Sequence, residues 1–138
     1  MLKLAIDFGT AVTKIYQIGS GIVLAEATCV TIQKETGEIR AFGNEAKRLL
    51  GKTAELTDVC FPVYEGEILN ERYAAALLEY FLQKVVRRSY SVEALFCVPC
   101  ACSLASREKY CRVARSAGLN RVSFAETPYL AALGQDVP

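Results

Sequence analysis

The sequence predicts an α/β domain in which a mixed five-stranded sheet carries helices on both faces. Three observations predict it. The first 25 residues alternate apolar and polar side chains with period two, broken by short glycine turns, as an antiparallel meander does. From residue 71 onward, stretches with apolar residues three and four apart take turns with short apolar runs, which reads as helix, strand, helix, strand. A chain of 138 residues, 52% apolar and 22% charged, can fill one hydrophobic core.

Leu2-Lys3-Leu4-Ala5-Ile6-Asp7 is the first strand and runs into the turn Phe8-Gly9-Thr10-Ala11. Val12 to Ile18 is the second strand, and Gly19-Ser20-Gly21 turns it into a third over residues 21–25. Residues 29–33 and 38–42 form a hairpin around Glu35-Thr36-Gly37, and Asn44 is placed to cap a short helix over 45–50 that Gly51 ends. Residues 52–70 read as irregular, with one short strand at Glu67-Ile68-Leu69. Asn70 caps a helix over 71–87, whose buried face is Tyr73, Leu77, Leu78, Phe81, Leu82 and Val85. A strand at 93–98, a helix over 103–117 closed by Gly118, and a strand at 121–125 follow. Thr127-Pro128 opens a last helix that ends at Gly134.

Sixteen basic residues nearly cancel fifteen acidic ones, and no basic stripe stands out, so the charge pattern gives no footprint for nucleic acid. The apolar runs fall short of the roughly 20 residues a membrane helix needs. The sequence opens directly in a strand without a signal-peptide pattern, so the expected location is cytoplasmic and the six cysteines are expected to be reduced. Cys97, Cys100, Cys102 and Cys111 suggest a metal cluster at first sight. The chain has no histidine and no pair of Cys-x-x-Cys elements, so small core residues are the expectation. Ala46 to Thr53 fits a relaxed phosphate-loop pattern, but its residues form a helix that Gly51 ends, where the mechanism needs a glycine loop before a helix.

The segment Asp7-Phe8-Gly9-Thr10-Ala11-Val12-Thr13-Lys14 carries chemistry. A carboxylate closing a strand, then a turn of small residues, leaves backbone N–H groups for phosphate oxygens. Asp7 would hold Mg²⁺ through water, because Mg²⁺ keeps much of its hydration shell. Thr10 would add a hydroxyl and Lys14 a positive charge. Taken by itself, the same pattern also fits a plain β-turn with a solvated aspartate.

Ala5-Ile6-Asp7-Phe8-Gly9-Thr10-Ala11 is similar to the first phosphate motif of the actin-like ATPases, and most of all to the MreB-type bacterial actins. Gly21-Ile22-Val23-Leu24-Ala25-Glu26-Ala27, Gly43-Asn44-Glu45-Ala46-Lys47, Leu50-Gly51-Lys52-Thr53, Glu65-Gly66-Glu67-Ile68, Val98-Pro99 and Ala117-Gly118-Leu119 continue the resemblance in order. Glu126-Thr127-Pro128-Tyr129-Leu130-Ala131-Ala132-Leu133-Gly134 completes it. The element order is that of the ribonuclease H-like unit, which actins use twice.

The resemblance implies a larger subdomain IA at 1–32 and 72–138, a small IB insertion at 33–71, and the N-terminal half of an ATP-binding, filament-forming cell-shape protein. It implies ATP and Mg²⁺ as cofactors of the complete protein, held here by Asp7, Gly9, Thr10, Ala11, Thr13 and Lys14, with Asp7 facing the metal. A second phosphate loop would follow Pro138, so these residues alone would bind nucleotide weakly or not at all.

The family places a glutamate before the last motif's proline to position the attacking water. Thr127 stands there in this chain and Glu126 one residue earlier, so any ATPase activity of the parent is expected to be slow, and the fragment alone is expected to have none. The runner-up reading is a degenerate actin-like scaffold that binds partners without turnover. A ribonuclease H-type nuclease needs several carboxylates around two metals, and Asp7 with Glu126 are too few.

The implied partners are further copies of the chain, as a filament or a dimer, and proteins of cell shape and wall synthesis. A membrane surface belongs with them, on the inner face, through Arg87-Arg88-Ser89-Tyr90-Ser91, where the basic residues attract anionic lipid and Tyr90 is the apolar insert.

Overall fold

In the computed structural model, which describes residues 1–50, 52, 56–86, 91–99 and 102–126, the opening meander consists of β1 (Leu2–Phe8), β2 (Val12–Gln17) and β3 (Gly21–Ala27). Alternation explains the three strands. Leu4, Ile6 and Phe8 on β1 and Ile15 on β2 point to one face and are buried, while Lys3, Lys14 and Tyr16 point to the other and are exposed.

β4 (Val30–Gln33) and β5 (Ile39–Phe42) pair antiparallel, as the hairpin pattern predicts, and lead into α1 (Gly43–Arg48). Asn44 does not cap α1. The helix starts one residue before it, no side chain caps its first turn from Phe42, and Asn44 points instead at β3, where its Oδ1 accepts the Ala27 N–H at 2.9 Å.

Residues 56–70 are more ordered than the sequence suggests. β6 (Thr57–Cys60) joins β4 antiparallel, giving a three-stranded sheet in the order β5-β4-β6. Its alternation is hidden because apolar side chains point both ways: Val59 packs on a small core of Ala27, Cys29, Ala41 and Ala46, whereas Cys60 packs on the main core. β7 (Val63–Tyr64) and β8 (Glu67–Ile68) form a hairpin whose two-residue turn, Glu65-Gly66, has positive φ at both positions, as a type I′ turn requires.

α2 (Glu71–Val85) begins as predicted, with Asn70 Oδ1 accepting the Tyr73 N–H at 3.0 Å. β9 (Val92–Val98), α3 (Leu104–Ser116) and β10 (Arg121–Glu126) complete the described chain. Ser103 caps α3 through the Ser106 N–H, and Gly118 follows its end with φ 97°, a conformation glycine adopts without penalty.

The five-stranded sheet has the order β10-β9-β1-β2-β3, with β1 antiparallel to β2 and parallel to β9. This is the predicted mixed sheet. α2 and α3 cover the face of Leu4, Ile6, Phe8, Ala94, Phe96 and Val98, sharing one core with them. The helix expected over 128–134, with Thr127 and Pro128 at its start, lies outside the described residues, as does Gly51. The hairpin β7–β8 docks on α3, where Tyr110 OH donates to Gly66 O at 2.8 Å and Ser106 Oγ donates to Glu67. No helix among the described residues is long and apolar enough to cross a membrane.

Candidate functional site

The turn between β1 and β2 sits where β1 and its parallel neighbour β9 both end. Gly9 is needed there because a Cβ at that position would stand 2.5 Å from the Val12 carbonyl oxygen. Two contacts from distant parts of the chain hold the turn. Thr28 N–H donates to Ala11 O at 2.9 Å, and Glu65 N–H donates to Thr10 Oγ1 at 2.7 Å. The Thr10 hydroxyl thus keeps its own proton for a further acceptor. Among the described residues, the N–H groups of Thr10 and Ala11 meet no acceptor. Adjacent N–H dipoles of this kind attract an anion.

Asp7 faces away from the helices. It stands opposite Lys14 in the β1–β2 register and beside Cys97 on β9, one step beyond the Ile6–Phe96 pair. Burial raises the Asp7 pKa above the usual aspartate value, and the positive charge of Lys14 pulls it partly back. Burial also pushes the Cys97 thiol up to about 11, with the Asp7 charge adding to the effect, so Cys97 is a neutral neighbour. A cation beside Asp7 would offset the cost of keeping that carboxylate ionised in a half-buried place.

Thr13 does not join this group. It is fully buried on the helix face, and its hydroxyl shares a 2.8 Å hydrogen bond with that of Thr28. Glu126 is also on the other side: it stands in register with Val98, which is fully buried among the helices, so the pleat sends Glu126 and Asp7 to opposite faces. Thr127 lies outside the described residues.

Asp7, Gly9, Thr10, Ala11 and Lys14 therefore come together, and the arrangement suits a phosphate group with a divalent ion. Among the described residues no three His, Cys, Asp or Glu side chains gather for a metal. Cys97, Cys102 and Cys111 are free thiols, each half-buried; Cys100 lies outside the described residues.

Thr28 and Glu65 escape a reading of the sequence as site residues. Nothing near Thr28 marks it. Glu65 falls in a stretch that reads as irregular, and its distance of 55 residues from Thr10 hides the contact.

The chain matches the family model described as MreB/Mbl protein over residues 1–138. It is 34% identical over 142 aligned positions to the cell shape-determining protein MreB of Pasteurella multocida, covering 98% of this chain and 40% of that protein. It is 32% identical to the cell shape-determining protein Mbl of Bacillus subtilis, covering 95% and 40%. Among solved structures, it is similar to MreB5 of Spiroplasma citri bound to ADP, with a TM-score of 0.88 and 26% identity over 99% of this chain and 41% of that one. The chain thus spans about two fifths of the length of the curated relatives it matches. With a tight glycine turn beside a half-buried aspartate at the end of a mixed five-stranded sheet, and with a family match along its whole length, this chain belongs to the MreB/Mbl family.

Proposed function

We propose that this chain is the phosphate-holding lobe of an ATP-binding, filament-forming protein of cell shape. The observation that carries the reading is the pair of N–H groups at Thr10 and Ala11, which meet no acceptor among the described residues and are set beside Asp7 and Lys14. In this reading the two N–H groups and the Thr10 hydroxyl take phosphate oxygens. Lys14 balances their charge, and Asp7 orients the water shell of Mg²⁺. Gly9 keeps the turn tight enough for the ligand to approach the backbone, and Thr13 contributes through its place in β2 rather than through its side chain. The similar MreB5 structures of Spiroplasma citri, one bound to ADP and one to AMPPNP, support nucleotide as the ligand class.

The larger subdomain then holds residues 1–32 and 72–138 and the smaller one 33–71. The sheet of β4, β5 and β6 with α1 supports the smaller unit, although β4 already begins at Val30, and the β7–β8 hairpin packs with the larger one through α3. Self-assembly, cell-shape partners and a location at the inner face of the membrane belong to the same reading.

Calorimetry on the full-length protein tests it. The wild type is expected to bind ATP in the presence of Mg²⁺, and Asp7→Ala to weaken that binding roughly 10-fold or more, the size expected for a lost charged contact. An unchanged affinity in Asp7→Ala would overturn the assignment.

A second reading, a degenerate actin-like scaffold that binds partners without ATP turnover, draws on Glu126. Its register puts it on the face opposite Asp7, so it is badly placed to activate a water at a phosphate there. A phosphate-release assay separates the two readings.

A further inference from the structure

Glu26, near the end of β3, makes contacts that phosphate binding does not explain. Its side chain is 12% exposed and both carboxylate oxygens are engaged. Oε1 accepts the Asn44 N–H at 3.1 Å, and Oε2 accepts from Lys84 Nζ at 2.6 Å in the last turn of α2. Asn44 answers through its Oδ1, which accepts the Ala27 N–H at 2.9 Å. β3 and the start of α1 are thus joined by a reciprocal pair of hydrogen bonds, and α2 by an ion pair to the same carboxylate.

The surroundings are shaped for this contact. Gly43 has φ 61°, and any side chain there would collide with Glu26 Oε1. Lys84 Nζ lies 4.7 Å from the centroid of Tyr80, whose ring stacks on Phe42 at 4.6 Å and 9°. Glu26 raises the pKa of Lys84 through their hydrogen bond, and Tyr80 adds to the effect, so the ammonium stays charged.

Two residues beyond Glu26, Thr28 donates its N–H to Ala11 O in the phosphate turn and shares its hydroxyl with Thr13. The end of β3 is therefore bound to the phosphate turn on one side and to α1 on the other. A nearly buried carboxylate with a different donor on each oxygen has little freedom to turn, and losing it leaves the Asn44 N–H without its acceptor.

We propose that Glu26 is a positioning residue that couples the phosphate turn to α1 and the second sheet, so that a ligand at residues 9–11 is felt at residues 44–48. This rests on the phosphate-binding reading above.

Hydrogen–deuterium exchange of the full-length protein, with and without ADP and Mg²⁺, tests it. In the wild type, ADP is expected to slow exchange both at residues 10–14 and at residues 44–48. In Glu26→Ala, the slowing at 10–14 should persist at saturating ADP, while 44–48 exchange about 10-fold faster and cease to respond. Glu26→Gln keeps an acceptor for the Asn44 N–H and should restore most of the response. Lys84→Met, which removes the ion pair alone, should give an intermediate result even if Glu26→Ala fails to fold.

The coupling is overturned if 44–48 respond alike in the wild type and Glu26→Ala, or if Lys84→Met responds as the wild type does. It is also overturned if ADP protects 10–14 of the wild type but not 44–48. If ADP protects neither segment of the wild type, the phosphate-binding reading falls and takes this inference with it.

Discussion

Asp7, proposed above to face Mg²⁺, weighs against the fold that holds it. Its carboxyl is half-buried, and burial raises its pKa in the folded chain above the unfolded value. Above the raised pKa the ionised group is disfavoured by folding, and this cost fades as pH falls through the folded pKa toward the unfolded one. Asp7→Asn is therefore expected to unfold at a temperature no lower than the wild type near neutral pH, with the difference shrinking in acid. The same variant should lose Mg²⁺-dependent nucleotide affinity. Thermal unfolding at neutral and acid pH checks the first expectation, and a clear loss of stability at neutral pH would show that Asp7 has a structural partner. In the wild type, Mg²⁺-nucleotide affinity should begin to fall at a higher pH than an ordinary aspartate would give.

The hairpin β7–β8 is the element that ties the site to the helices. Its turn gives the Glu65 N–H to Thr10 and the Gly66 carbonyl to Tyr110, and Gly66 packs directly on Pro99 at the end of β9. Both turn residues have positive φ, and a Cβ at Gly66 would run into the Pro99 ring. Gly66→Ala is expected to cost about 2–4 kcal/mol from left-handed strain and overpacking together. For a domain of this size that lowers the melting temperature by roughly 10 °C. Thermal unfolding of the variant checks it, and a melting temperature within error of the wild type would contradict the close packing.

Across the whole molecule, the core ignores the division between sheets. Val30 of β4, with Val63 and Ile68 of the hairpin, belongs to the same buried cluster as Ile6, Leu77, Phe81 and Phe96. The Tyr73 hydroxyl adds a 2.8 Å hydrogen bond to Gly37 O in the β4–β5 turn, joining α2 to the second sheet. Shared packing makes for cooperative loss, so one transition is expected for residues 1–126 when tyrosine fluorescence and far-ultraviolet circular dichroism are followed together. A separate early transition confined to residues 30–60 would mean that the second sheet is an independent unit.

Local sequence by itself determined the five strands of the main sheet, the face of α2 that is buried and the cap at Asn70, because those features depend on neighbours within a few residues; Ser103, read as the first residue of its helix, turned out to be its cap. The motif from Asp7 to Lys14 marked Asp7, Thr10 and Lys14, and the resemblance added Gly9 and Ala11; all lie within or across one turn. Tertiary structure decided the rest. β6 became a strand because β4 offered it an edge, and Asn44 turned its side chain to β3 because α1 starts one residue before it, which leaves Asn44 inside the helix rather than at its cap. Thr13, turned to the core by the alternation of β2, found its hydroxyl partner Thr28 there, and Thr10 was tied to Glu65 across 55 residues. A hydrogen bond is chosen by what folding brings within 3 Å, and for these groups the partner lies far away in sequence.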